Sequence, residues 1–135
     1  MITVALFGAD EDSVLTRFWL REEGVGTVGA YVQEVQSGAV DLDDFLDRHQ
    51  PDVVIYDFVQ PAAASGPWLR RLERACADLD IPCVLSVRDI ADLHHVVVGW
   101  AACILIRPYD AAMARLAIRE AMSAGAEDEG GETAA

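Results

Sequence analysis

At 135 residues, with a formal charge of −13 and 53% apolar residues, the chain has the size of one domain whose core covers roughly two-thirds of its unfolded surface. That charge repels nucleic acid and anionic lipid, no apolar run approaches the ~18 residues of a membrane span, and no basic leader opens the sequence, so the expected setting is cytoplasmic. All ten basic residues are arginines, which excludes lysine chemistry such as a Schiff base, and Cys76, Cys83 and Cys103 lack metal-like spacing and read as reduced thiols.

Residues 2–7 are an apolar run closed by Gly8 and predict a buried first strand. Asp10, Glu11 and Asp12 then suit a helix N-terminus, and Val14, Leu15, Phe18 and Trp19 recur at helical spacing until Gly24 ends the helix. Gly24-Val25-Gly26-Thr27-Val28-Gly29 matches the dinucleotide fingerprint letter for letter. That fingerprint must follow a strand and open a helix, whereas here a helix precedes and the strand-like 27–32 follows, so it reads as helix cap and turn. An amphipathic helix over 39–49 carries Val40, Leu42, Phe45 and Leu46.

Val53-Val54-Ile55-Tyr56 is too short for a helix and typical of a strand buried on both faces. It ends on Asp57, which places a carboxylate at the carboxyl edge of the sheet, where open α/β folds carry their chemistry. Small residues 62–66 predict a loop before a helix over 67–76 with Pro67 in its first turn; 81–87 predicts a strand with Pro82 near its start. A helix over 89–99 carries His94 and His95, a strand spans 102–106, and a last helix spans 110–122. From Ser123 the tail is small, glycine-rich and acidic, and composition predicts disorder there, leaving 1–122 as the domain. Alternating strands and helices argue a three-layer, doubly wound α/β sandwich with a parallel five-stranded sheet.

Pro-Asp-Val-Val-Ile-Tyr-Asp followed by Pro61, then Ile81-Pro82 opening a strand, then Arg107-Pro108-Tyr109, resemble the receiver domain of bacterial two-component response regulators over nearly the whole chain. The resemblance implies the flavodoxin-like strand order 2-1-3-4-5, a histidine kinase as partner, and Asp57 as acceptor of a phosphoryl group. Such a transfer needs a divalent cation with hard oxygen ligands, which implies Mg²⁺. The family's two acids at the end of the first strand fall on Gly8 and Ala9; Asp10 and Glu11 come two residues late and are the candidate metal ligands, with Asp57 and the Val59 carbonyl. The family's hydroxyl falls on Val87, with Ser86 one residue early and, by strand alternation, on the opposite face. The lysine position holds Arg107, whose planar guanidinium is not a point-charge ammonium, and the rotamer-switching aromatic falls on Ile104.

Two readings follow. In one, the chain is an active single-domain regulator with Asp57 as nucleophile and Arg107 pairing with the phosphate. In the other, favoured by the replaced residues, it is a degenerate receiver, not an enzyme, that signals through protein–protein contacts. The haloacid-dehalogenase-like phosphatases need a second acid two residues after the first, where Val59 stands, and flavodoxin-like cofactor binding is opposed by the acids after the first strand. His94 and His95 are adjacent, about 100° apart on a helix, and make no metal pair. Val96, Val97 and Trp100 make the helix over 89–99 apolar nearly all round. With Tyr109 they predict a partner or homodimer surface on the fourth helix, fifth strand and fifth helix. With no effector domain after residue 122, any transcriptional activity is expected to come through a partner.

Overall fold

The computed structural model describes residues 2–59, 62–93 and 99–134, with side chains at all of these except 62–66 and 124–134. Five parallel strands form one sheet: β1 (Thr3–Gly8), β2 (Gly26–Tyr31), β3 (Val53–Asp57), β4 (Cys83–Val87) and β5 (Cys103–Ile106). Their order is β2-β1-β3-β4-β5, so the chain reverses direction of winding after β2 and leaves a crevice at the carboxyl ends of β1 and β3. Register places Leu6 beside Ile55 and Ile55 beside Val84, and every residue of β3 is buried, as its unbroken apolar run requires.

Helices cover both faces. Strand alternation sends Val4, Leu6, Val53, Ile55, Val84 and Leu105 to the face packed by α1 (Asp12–Glu22) and α5 (Ala111–Ala134), through Leu20, Ala114, Ala117, Ile118 and Ala121. The opposite face takes Phe7, Val54, Tyr56 and Leu85 against α2 (Val32–Ser37), α3 (Leu42–His49) and α4 (Ala62–Leu79). A fully buried leucine such as Leu20, Leu46 or Leu72 contributes about 1.5–3 kcal/mol through removal of its surface from water. No helix among the described residues is long and apolar enough to cross a membrane.

Local chemistry sets the helix ends. The Asp41 carboxylate accepts the Asp44 N–H at 3.0 Å to cap α3, and Asp110 caps α5 through Met113 N–H at 2.8 Å. Gly24 and Gly38 close α1 and α2 with φ of 86° and 85°, a conformation that glycine adopts without a Cβ penalty.

The structure departs from the sequence expectation in several elements. The second crossover holds two helices rather than one, because Val32 and Val35 also find core on the α3 side. Helix α4 begins at Ala62 rather than Pro67, since Ala62-Ala63-Ala64 has the strongest intrinsic helix propensity. Helix α5 runs past Met122 to Ala134. Of the helix expected over 89–99, a 3₁₀ turn at Ile90–Leu93 is present, and His94, His95, Val96 and Val97 lie outside the described residues.

The largest departure is the orientation of α1. Its buried residues are Ser13, Thr16 and Leu20, while Val14, Leu15, Phe18 and Trp19 are 40–58% exposed. The sheet meets α1 at Gly8, where a Cβ would overlap the Ser13 side chain. Such a close approach admits only small side chains on the inner face of the first turns, so the bulky residues turn outward.

Candidate functional site

Asp57 closes β3 on the α1/α5 face and is 3% exposed. Its Oδ2 accepts the N–H of Ala9 at 2.8 Å, from the loop after β1, and lies 3.4 Å from Arg107 Nη1. Its Oδ1 is buried with no hydrogen-bond partner. Burial pushes the carboxyl pKa up from its ordinary value; the Ala9 N–H, the Arg107 guanidinium and Ser86 oppose this, and Asp10 adds to it.

Arg107 reaches this position because its own N–H donates to Val87 O at 2.7 Å and continues the β4–β5 ladder by one residue. The Arg107–Pro108 peptide is cis. The guanidinium then crosses to β3, where Nη2 donates to Phe58 O at 2.6 Å. Nε and Nη1 are buried without hydrogen-bond partners, so Nη1 meets Asp57 as an ion pair outside good hydrogen-bond geometry.

The face of Ser86 differs from the expectation. Ser86, not Val87, is the register partner of Asp57 and shares its face, whereas Val87 packs into the cluster on the α3/α4 side. Ser86 Oγ is buried and favours the ionised carboxyl without reaching hydrogen-bond geometry to it. Alternation counted from Pro82 put Ser86 on the wrong face because parity must be taken from the neighbouring strand, and register is a tertiary quantity.

Above Asp57, between α1 and the loop after β5, lies a cavity of about 500 Å³. Leu15, Trp19, Pro108 and Tyr109 form its apolar walls, and Asp57 and Arg107 are among its polar lining. Burial, and then the Asp57 carboxylate, push the Tyr109 phenol up, with Thr16 opposing them. Sequence reasoning missed Thr16 and Arg88 as site residues, and it used Trp19 only for its helical spacing. The i, i+3 pair Ser13 and Thr16, small hydroxyl residues on one face of the helix, was the available signal. Among the four residues expected at an interface, Trp100 packs against the α3/α4-side cluster and Tyr109 against the α1/α5-side cluster, so neither ring stands free on the surface.

Comparison with solved structures decides the fold. No protein-family model matches the sequence, and no curated protein matches it. A sensor protein from Polaromonas sp. JS666 superposes with a TM-score of 0.71 at 15% identity, covering 92% of this chain and 98% of that one. A response regulator receiver domain protein from Clostridium thermocellum gives 0.65 at 15% identity, covering 91% and 95%. The REC domain of the Erythrobacter litoralis PhyR response regulator gives 0.67 at 16% identity, covering 90% and 89%. This chain has the receiver fold.

In the receiver fold the loops after β1, β3 and β5 meet at the sheet's carboxyl edge, and the family's chemistry implies Mg²⁺ there. The residues present do not fit that ion. An acid at Gly8 has no room, because its Cβ would overlap Ser13. Asp10 and Glu11 are exposed; Asp10 pairs with Arg88 at 3.7 Å and accepts the Asp12 N–H at 3.0 Å, and Glu11 sits at the N-cap of α1. Val59 lines a second cavity of about 340 Å³ and Asp57 the first, while Asp10, Arg88 and Arg107 border both, so each place where an acid and Asp57 or Val59 meet already holds two guanidinium groups. Among the described residues, no group of three or more His, Cys, Asp or Glu side chains could hold a metal ion.

Proposed function

We propose that this chain is a receiver-like signalling protein of a two-component pathway, degenerate at its phosphorylation site, whose output is protein–protein contact. The observation that carries the reading is the pairing of Asp57 with Arg107, at a site where Gly8 and Ser13 pack against each other in the place of a metal-binding acid. A fixed cation beside the carboxylate offsets its charge without Mg²⁺, and the guanidinium is held there by its bond to Phe58 O. The module comprises residues 1–122, works in the cytoplasm, catalyses nothing, and has a histidine kinase or another signalling protein as its partner. A second copy meeting it through the segment 89–99, β5 and α5 belongs to the same reading. The net charge of −13 opposes nucleic acid and anionic membrane as partners.

One observation favours the active alternative: Asp57 Oδ1 is unpartnered, as an attacking oxygen must be, and Arg107 is placed to pair with a phosphoryl group. Beryllofluoride, a mimic of the acyl phosphate, separates the two. The degenerate reading expects neither a protein-bound fluorine resonance at millimolar Mg²⁺ nor a mass increase with acetyl phosphate. An adduct that Asp57→Asn abolishes would overturn it.

A further inference from the structure

We propose that the cavity between α1 and the loop after β5 binds a neutral, largely planar small molecule that presents a hydrogen-bond donor beside an acceptor, such as an aromatic hydroxy-carbonyl or carboxamide. The proposal rests on the reading that Asp57 carries no phosphoryl group, since a phosphoryl group would fill the floor of the cavity.

Size and walls come first. About 500 Å³ lies within the 300–1,000 Å³ that small-molecule sites occupy. Trp19 and Leu15 on α1 face Pro108 and Tyr109 across the opening, and Trp19 and Leu15 are 41% and 51% exposed. A planar apolar body between them removes that surface from water and offers both rings a stacking partner.

The floor sets the polar end of the ligand. Asp57 Oδ1 is an acceptor without a donor, on a side chain 4% exposed, and Arg107 Nε and Nη1 are donors without acceptors. Both lie on side chains lining the cavity. These atoms are themselves closed off from solvent, so the two side chains must shift slightly to meet a ligand. Unmet buried polar groups are costly, and a ligand with one donor and one acceptor side by side then satisfies both kinds at once. Charge selects neutrality. Asp10, Asp12 and Asp57 outnumber Arg88 and Arg107 in the lining, so an anion meets the carboxylate it must desolvate against, while a cation at the floor meets the guanidinium.

The test uses salicylanilide, held at a pH where its phenol is protonated, titrated into the full chain and followed by amide and indole NMR resonances. The expected result is saturable binding with a Kd of about 0.1 mM or tighter. Shifts should centre on the Ala9 amide, the Trp19 indole and the Tyr109 amide. Trp19→Ala, which removes an exposed wall and leaves the core intact, should weaken binding about tenfold, as should Asp57→Ala at the floor. The anion N-phenylanthranilate should bind at least tenfold more weakly. The proposal is overturned by an absence of saturable binding, by shifts centred elsewhere, by indifference to Trp19→Ala, or by equal affinity for the anion. Beryllofluoride is added to a separate sample. An adduct there sinks the unphosphorylated reading, whereas silence toward salicylanilide without an adduct sinks the cavity proposal alone.

Discussion

Arg107 Nη1 lies 3.4 Å from Asp57 Oδ2 while Nη2 of the same guanidinium donates to Phe58 O at 2.6 Å. The cation is thereby tied to the backbone just beyond the carboxylate it neutralises. Asp57 is 4% exposed at its side chain and Arg107 14%, so solvent screens their attraction little.

A double-mutant cycle measures that coupling. Arg107→Met leaves a buried carboxylate uncompensated and should destabilise the chain by about 3 kcal/mol near neutral pH. The same change in an Asp57→Asn background should cost less, with a coupling energy of about 1–3 kcal/mol from urea unfolding. Additive single effects would show that the pair does not interact.

Acid titration gives an independent check. Burial raises the folded-state pKa of Asp57 above its ordinary 3.8, so its contribution to stability is full below the unfolded value and is lost as pH rises through the folded one. Asp57→Asn cannot titrate. The difference in Tm, Asn variant minus wild type, should therefore become more positive as pH rises from acid toward neutral. A flat difference would mean that the carboxyl is not perturbed.

The Gly8 contact with Ser13 predicts that a metal site cannot be restored by one substitution. Gly8→Asp should destabilise by about 2 kcal/mol or more, as overpacking does, and Ser13→Gly in the same chain should recover part of the loss. Thermal unfolding of the single and double variants decides this. A Gly8→Asp variant as stable as wild type would show that α1 moves away freely.

Helix α1 offers the sharpest contrast between sequence pattern and packing. Leu20→Ala, at a fully buried position, should cost about 2–5 kcal/mol. Phe18→Ala, at a residue 58% exposed, should fall within about 0.5 kcal/mol of wild type. If chemical denaturation gives the reverse order, the helix is rotated from the orientation described.

What the sequence determined by itself is what local pattern and composition carry. Apolar runs named four of the strands and a strand-like stretch the fifth, β3 ends on Asp57 as its run implied, and the glycine fingerprint was rejected because a helix precedes it and β2 runs through its second half. Alternation along a strand and spacing along a helix are properties of neighbouring residues, so no folding is needed to read them.

Tertiary structure decided everything that depends on which element lies beside which. The β3–β4 register put Ser86 rather than Val87 next to Asp57. The close approach of α1 at Gly8 turned Phe18 and Trp19 outward and left Ser13 and Thr16 inside. The ladder extended to Arg107 delivered a guanidinium to a carboxylate fifty positions earlier in the chain. Residues so far apart meet only after the sheet has formed, so the arginine beside Asp57 is set by packing rather than by any local pattern.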